Sequence, residues 1–529
     1  MTVRPPSDPR SGKSPAVHGV SEPSRSSEGK ERVNERLADD RGHGVDIHNP
    51  YNWPLSKSAA NAVIVCFLGF LSSLVSSVIV PALPNVKLEF GVTNDEVGTL
   101  TTSLFVLGLG VGPFLFAPLS ELYGRMFVYR LTMTAFTVLQ VGCALSNSIG
   151  TLIILRFLSG VFGSAPPSLG QATISDLFSP GDRAPWSALY SLGPMLGPCI
   201  GPLIASFIIA AKSWRWVFWT SACMSVSSPL DYSIIQTFYL SSGGGTIFLF
   251  VVSKETYMPV IMQKAQMEQE LKSTLTGGSK RVWSFPLKPH SEKSPAAKGI
   301  YSKALSRPLR LLTTNPICLV LGTFLAYVYG MLYLLLTSLP LLYRDGQGRL
   351  FSYHLSVTRS GLCYLGLAVG FVIASFTTAY GSRRLYNHLV KVNGEQRPEY
   401  RLLPMTVGMI ILPVGLLMYG WSAQQHDAVI VPLIGNALVA MGIFVTFQSI
   451  QVYLVDAFSP YSASAIAAAT LLRCCAGCGL PLFGKQMFKG MGYGWAATVL
   501  ALATVPAIPI PLILYKYSRS LRERFPFHG

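Results

Sequence analysis

Charged residues are scarce in this chain. Asp, Glu, Lys and Arg make up only 13% of its 529 residues, against about 25% in an ordinary soluble domain. Half of the residues are hydrophobic, and the 48 glycines and 36 prolines follow no collagen-like period. This composition excludes a soluble globular enzyme, a disordered chain and a fibrous chain as starting hypotheses.

Signatures of enzyme chemistry are missing as well. The only Gly-Lys-Ser triplet, at 12–14, lacks the glycine that a phosphate-binding loop needs five positions earlier, where Ser7 stands. HExxH, GxSxG and kinase signatures are absent. The chain is therefore predicted not to be an enzyme and not to use ATP directly. Cys474, Cys475 and Cys478 lie in an apolar run of small residues. Small residues allow helices to pack closely in lipid, and this interpretation is preferred to a metal site.

Long apolar runs fill most of the sequence. A bilayer core of about 30 Å needs roughly 20 apolar residues in a helix. The stretch 216–252 is predicted to cross once, through 234–252, with 220–233 as a poorly packed external segment. Twelve spans are predicted on this basis: 59–83, 97–119, 127–146, 151–174, 185–211, 216–252, 316–342, 357–380, 402–421, 428–453, 463–484 and 494–515.

Basic residues indicate the orientation of these spans. Eleven Lys and Arg residues cluster in 254–310, between apolar runs, which favours a cytoplasmic loop over a nucleic-acid partner. Both termini are then predicted to be cytoplasmic. The predicted parts are an N-terminal tail 1–58, a first six-helix bundle 59–252, a central loop 253–315, a second six-helix bundle 316–516 and a C-terminal tail 517–529.

An internal repeat relates the two bundles. LGLGVG at 107–112 matches LGLAVG at 365–370, and QATISDLFSP at 171–180 matches QVYLVDAFSP at 451–460. The two matches occur in the same order and direction, which is typical of a parallel repeat about an axis along the membrane normal. The sequence therefore predicts an all-α membrane protein with twelve transmembrane helices in two pseudo-symmetric six-helix bundles.

Arg156 lies deep inside the fourth predicted span, and Arg473 lies inside the eleventh. A charge at membrane depth is costly and usually faces a cavity or a partner. Arg156 is too deep for its side chain to reach the interface easily. Both residues are candidates for a functional role.

Three Gly-Pro pairs recur every four residues in the fifth span. Such glycines lie on one helix face and allow close approach of a neighbouring backbone, and prolines bend the helix and free carbonyl groups. Generic helix packing needs only one such pair, so the pattern is specific. The pairs are Gly193–Pro194, Gly197–Pro198 and Gly201–Pro202.

The turn after the second span contains Glu121, Gly124 and Arg125. A carboxylate and an arginine there can bridge to another helix end and separate when the two halves move. The alternative interpretation is simple topology, a glycine turn followed by positive charge on the cytoplasmic side.

Taken together, these motifs resemble the major facilitator superfamily, and within it the fungal drug:H⁺ antiporters of the twelve-span type. The resemblance covers about 46–525 and includes Arg156, Gly160 and Gly163 in the fourth span. The stretch from Trp219 to Glu255 is longer than the family spacing. Further matching segments are NPYNWP (49–54), WRWVFW (214–219), KETYMPVIMQKA (254–265), PEYRL (398–402), 464–484 and IPIPLILYKY (508–517).

The resemblance implies export of small organic compounds in exchange for protons by alternating access, driven by the proton gradient without a cofactor. It implies a monomer in the plasma membrane, with the small-molecule substrate, protons and lipid as partners. Ion pairs among Glu121, Arg125, Asp176 and Arg183 would close the cytoplasmic side. Arg156 would line the cavity and sense protonation nearby. Apart from 216–252, no predicted span contains an acidic residue, so no proton carrier is assigned. The expected substrate cavity comprises Gln171, Tyr190, Tyr333, Gln451 and Arg473.

Three alternatives stay open at this stage. Uptake or facilitated diffusion of a nutrient or polyamine is one, although the Gly-Pro pattern counts against it. A non-transporting receptor would need longer folded domains than the polar segments provide. A membrane enzyme would need clustered histidines or paired carboxylates at one membrane face, and the eight histidines are scattered.

Overall fold

The computed structural model describes residues 50–178, 183–226, 256–257, 261–262, 307–344, 350–458 and 462–524. Their helices follow the predicted spans closely. In the first half they are α1 (Leu55–Glu89), α2 (Asp95–Tyr123), α3 (Arg125–Ala144), α4 (Ile149–Leu177), α5 (Arg183–Ala211) and α6 (Arg215–Val226). In the second half they are α7 (Pro316–Tyr343), α8 (Val357–Asn393), α9 (Leu403–Gln424), α10 (Ile430–Ala457), α11 (462–491) and α12 (493–524).

Ten helical stretches in the described part are long and apolar enough to cross a membrane. The last of them runs from 464 to 518. Gly492 has a non-helical φ of 75° within this stretch and divides it into α11 and α12. Gly124 separates α2 from α3 in the same way, at φ 96°. Such positive φ values favour glycine. Together with α6, these helices confirm the predicted fold class.

The alternation of helices defines two ends of the molecule. The terminal face carries the start of α1 and the α2–α3 turn at Gly124, and α12 ends there. The distal face carries the α1–α2 turn and the α11–α12 break at Gly492. These two names are used below.

The repeat in the sequence reappears in the packing of the two halves. In the first half, a Cβ added to Gly108 would meet the carbonyl oxygen of Phe157 on α4. In the second half, a Cβ on Gly366 would lie 2.9 Å from the carbonyl oxygen of Leu433 on α10. The α2–α4 contact and the α8–α10 contact are therefore built alike, which confirms the two pseudo-symmetric bundles.

Three helix pairs in the described part of the chain bring the two halves into contact. The hydroxyls of Ser76 on α1 and Tyr333 on α7 lie 2.6 Å apart. A Cβ on Gly110 of α2 would lie 2.6 Å from the Cβ of Cys474 on α11. Ser206 of α5 packs against Gly361 of α8. These contacts lie between the middle of the helices and the distal face.

The sixth span begins earlier than predicted. α6 runs from Arg215 to Val226 and packs against α3, with Val217 and Phe218 fully buried. The prediction of a poorly packed segment is therefore wrong for 220–226. The hydroxyls of Ser221 and Ser225 bond back to carbonyls one turn earlier, so a helix accommodates these polar residues. The predicted crossing at 234–252 and most of the predicted central loop lie outside the described residues.

Candidate functional site

The glycine face of α5 packs against α1. A Cβ on Gly197 would lie 2.7 Å from the backbone nitrogen of Leu74, and one on Gly201 would meet the Leu74 carbonyl oxygen. Proline has no backbone N–H, so Pro202 leaves the carbonyl of Pro198 without its helical donor. The hydroxyl of Ser77 on α1 donates to that carbonyl at 2.7 Å. The Gly-Pro pattern thus creates both the close approach and the polar contact.

Arg156 joins three helices of the first half. It is fully buried. Its Nη1 and Nη2 atoms donate to the carbonyl oxygens of Val75 and Ser76 at 3.0 and 2.9 Å, and Nε donates to that of Thr101 at 3.0 Å. Carbonyls in the last turn of a helix lack helical donors, and the first segment of α1 ends at Ser77. Arg156 therefore satisfies backbone groups that this helix end leaves free.

Aromatic rings enclose the same guanidinium. The Arg156 Cζ atom lies 4.3 Å from the ring centroid of Phe105 and 5.7 Å from that of Phe218, the first on α2 and the second on α6. In this conformation Arg156 is packed between helices and does not line an open cavity.

On the terminal face, both halves carry an arginine–aspartate ion pair. Arg125 Nε lies 3.3 Å from Asp176 Oδ2, and Arg401 Nε lies 3.2 Å from Asp456 Oδ2. Arg125 also donates to the Ser120 hydroxyl at 2.6 Å. Both pairs stay within one half. The signal for the second pair was present in the sequence, because the repeat aligns Asp456 with Asp176.

Two of the predicted gating residues cannot be located in the same way. The side chains of Glu121 and Arg183 lie outside the described part of the chain. Their roles on the terminal face stay predictions. Gly124 lies at the α2–α3 turn, where its positive φ allows Arg125 to begin the next helix.

On the distal face, ion pairs join the two halves. Lys489 and Lys485 of α11 lie 3.1 and 3.8 Å from the carboxylate of Asp95, at the start of α2. Lys87 contacts the same carboxylate, and Gln486 contacts Glu96. Sequence reasoning missed this network, because its partners in the two halves are almost 400 positions apart.

Three residues of the expected substrate cavity lie near one another. Arg473 faces the ring of Tyr329, whose centroid is 5.1 Å from that of Tyr333, and Tyr190 is within electrostatic range of Arg473. Tyr190 on α5 is buried among α1 and α4 and donates to the Pro166 carbonyl at 2.9 Å. Gln171 donates to the Ser187 hydroxyl at 2.7 Å. Tyr333 lies at the contact between the halves described above. Gln451 is half-buried on α10.

Arg473 has surroundings unlike those of Arg156. It lies near the middle of α11, and 7% of its surface is exposed. Its Cζ atom lies 4.8 Å from the ring centroid of Tyr329 and 5.3 Å from that of Phe447. Among the described residues, its Nε has no hydrogen-bond partner. The next residue, Cys474, contacts α2 of the other half at Gly110.

No group of His, Cys, Asp or Glu side chains in the described ranges has the arrangement of a metal site. The three cysteines of the CCxxC cluster differ in environment. Cys474 is buried, Cys475 is exposed and Cys478 is intermediate, and all three are free thiols.

Comparison with known proteins agrees with this architecture. Residues 65–481 match the family model described as Major Facilitator Superfamily. The MFS-type transporter atr4 of Stereocaulon alpinum is 38% identical over 479 residues, which cover 90% of this chain and 81% of that protein. The efflux pump radE of Floropilus chiversii is 34% identical over 90% of this chain and 83% of its own length.

A solved structure is similar in fold. The xylose transporter XylE from E. coli, in a partially occluded inward open conformation, matches with a TM-score of 0.60. The match covers 87% of this chain and 98% of the other, at 14% sequence identity.

Proposed function

Because the chain belongs to the major facilitator superfamily, and is thus a multi-pass membrane transporter, we propose that it exports small organic compounds in exchange for protons. The proton gradient is the energy source and no cofactor takes part. The proposed location is the plasma membrane, with the terminal face and both chain ends in the cytoplasm. The proposed working unit is a monomer, with no nucleic-acid partner. The relatives named as efflux pumps and MFS-type transporters support export.

One observation carries the alternating-access mechanism. The distal ion pairs of Asp95 with Lys485 and Lys489 join the two halves, whereas the terminal-face pairs lie within a half. The distal side is therefore held closed by contacts that a rocking motion must break. The terminal side has ion pairs that such a motion leaves intact. This asymmetry fits a transporter in which one side opens while the other closes.

A vesicle assay tests export against uptake. The full chain is purified into liposomes with an acidic lumen, and the fluorescent dye rhodamine 6G is added outside. An antiporter that carries the dye accumulates it in the lumen and raises the luminal pH, and a protonophore abolishes both effects. Empty liposomes control for passive entry. Dye movement in the same direction as protons, or movement independent of the pH gradient, contradicts the proposal and favours the uptake alternative.

The distal network supplies a second test. Asp95→Asn removes the carboxylate that three lysines share, so it favours opening of the distal side. The expected readout is faster labelling of a cysteine placed at Thr99 by an impermeant maleimide, in a background in which the exposed native cysteines are replaced. A partly exposed ion pair contributes about 1 kcal/mol at most, so the expected acceleration is about fivefold. Unchanged labelling would show that this network does not hold the distal face closed.

A further inference from the structure

Arg473 is a buried cation that has no anionic partner among the described residues. Only 7% of its surface is exposed, yet it forms no ion pair with a described residue. Its Nε also has no hydrogen-bond partner among the described residues. A buried charge without a partner is strongly unfavourable. Apart from two aromatic faces and the thiol of Cys474, nothing in the described part of the chain compensates this charge.

The same chain shows what a structural arginine looks like. All three nitrogens of the Arg156 side chain donate to backbone carbonyls, and none of its surface is exposed. Arg473 differs on both counts, because its Nε–H is unused and part of its surface is accessible. A role in packing alone therefore does not account for Arg473.

The position of Arg473 suits a residue that meets a transported compound. The neighbouring Cys474 contacts Gly110 of α2, so this part of α11 lies at the contact between the two halves. Tyr329 and Phe447 present ring faces on α7 and α10. A positive charge and two aromatic faces therefore occur together here.

We propose that Arg473 binds the carboxylate of an aromatic organic anion, and that such anions are a substrate class of this transporter. The inference rests on the proposed export function. The guanidinium is planar, so Nε–H and one Nη–H can donate side by side to the two oxygens of a carboxylate. The rings of Tyr329 and Phe447 supply the apolar, π-rich surface that an aromatic body prefers. Cationic and neutral compounds leave the guanidinium uncompensated.

The test compares two probes that differ only in charge, 2-naphthoate and 2-naphthamide. The full chain in lipid nanodiscs is heated with increasing concentrations of each probe, and the unfolding temperature is recorded. The wild type is expected to gain a saturable rise in Tm with the carboxylate and little with the amide. In Arg473→Gln, the apparent affinity for the carboxylate is expected to fall by at least about tenfold.

The unliganded proteins give a readout that a packing role would not produce. Since Arg473→Gln removes an uncompensated buried charge, the Tm of the free variant is expected to stay equal or rise. Arg473→Lys keeps the charge without the planar fork and is expected to bind the carboxylate at intermediate strength. The matched control is Arg359→Gln, which replaces an exposed arginine at the distal end of α8 and is expected to behave like the wild type.

Dye export is measured in parallel. 2-Naphthoate is expected to inhibit rhodamine 6G export by the wild type and by Arg359→Gln, but not by Arg473→Gln. If export fails and carboxylate-dependent stabilisation persists only where Arg473 is present, the transport proposal is wrong while the anion site stands. Equal stabilisation of the wild type by both probes, no stabilisation by either, or retention of the effect in Arg473→Gln would overturn the proposal.

Discussion

Arg156 and Arg473 are both arginines inside membrane-spanning helices, and the sequence made both of them candidates for a functional role. In the structure, Arg156 donates to three backbone carbonyls from α1 and α2. Arg473 faces two aromatic rings and leaves Nε without a partner. The difference shows that depth in the membrane does not define the role of a charge. What matters is whether the protein itself supplies the acceptors.

The two halves differ in the hydrogen bonding of their buried arginines, although their ion pairs and helix contacts are alike. The ion pairs Arg125–Asp176 and Arg401–Asp456 have nearly equal lengths. The glycine contacts of α2–α4 recur in α8–α10. The duplicated arrangement therefore carries one arginine that joins helices in the first half, and one in the second half whose Nε has no partner among the described residues. Variants at each position test that division.

The largest effect is expected for Arg156→Ala. The change leaves the carbonyls of Val75, Ser76 and Thr101 without donors in a buried place, and each unsatisfied group costs about 1–3 kcal/mol. The variant is expected to lose most of its folded protein in the membrane, as measured by fluorescence-detected size-exclusion chromatography and by Tm. Arg156→Lys restores part of the bonding and should recover part of the yield. Wild-type abundance and Tm in Arg156→Ala would place this residue in the same class as Arg473.

The contrast between the two arginines shows which features of the structure can be predicted from the sequence and which cannot. Twelve helices, their order and the repeat follow from apolar runs of about 20 residues and from matching segments, since both are local patterns. Two partners of Arg156 are carbonyls at the end of a helix segment in α1 and the third is a carbonyl inside α2, and no side-chain identity signals them. The network of Asp95 with Lys485 and Lys489 depends on which helices of the two halves meet, which no local pattern specifies.

The error at α6 has a similar origin. The sequence predicted 220–233 to be a poorly packed external segment, which left Ser221 and Ser225 outside a spanning helix. In the structure their hydroxyls bond to carbonyls of their own helix, and both serines are buried. The sequence did signal the glycine face of α5, because three glycines at intervals of four must lie on one side of a helix.

A smaller effect is expected for Gly197→Ala. This variant tests the packing of α5 against α1, which is the second contact that holds α1 besides the hydrogen bonds of Arg156. The added Cβ would lie 2.7 Å from Leu74 N and 2.8 Å from the Phe70 carbonyl oxygen, so the helices must separate. Overpacking of this kind costs about 1–3 kcal/mol. Dye export in vesicles and Tm are both expected to fall. Gly479→Ala is the control, since no atom of the described residues lies within 4 Å of a Cβ there. Equal behaviour of the two variants would show that the α1–α5 contact is not required.

The smallest effects are expected for variants of the terminal-face ion pairs. They test whether the two pairs, which have similar geometry, also contribute equally to the stability of the protein. Exposed ion pairs contribute about 0.2–1 kcal/mol. The side chains of Arg125 and Asp176 are 9% and 22% exposed, against 30% and 35% for Arg401 and Asp456. Solvent screens the second pair more, so Asp176→Asn is expected to lower Tm slightly more than Asp456→Asn.

Raising the salt concentration should reduce this difference, because screening acts on both pairs. The measurement is Tm of the two variants and the wild type at low and high ionic strength. A charge-swapped variant, with Arg401→Asp and Asp456→Arg together, keeps opposite charges at the same site and should recover part of any loss caused by Asp456→Asn. A larger effect at Asp456 than at Asp176 would mean that the second half depends on its terminal-face pair for a reason other than burial. The halves would then differ in their terminal-face ion pairs as well as in the surroundings of their buried arginines.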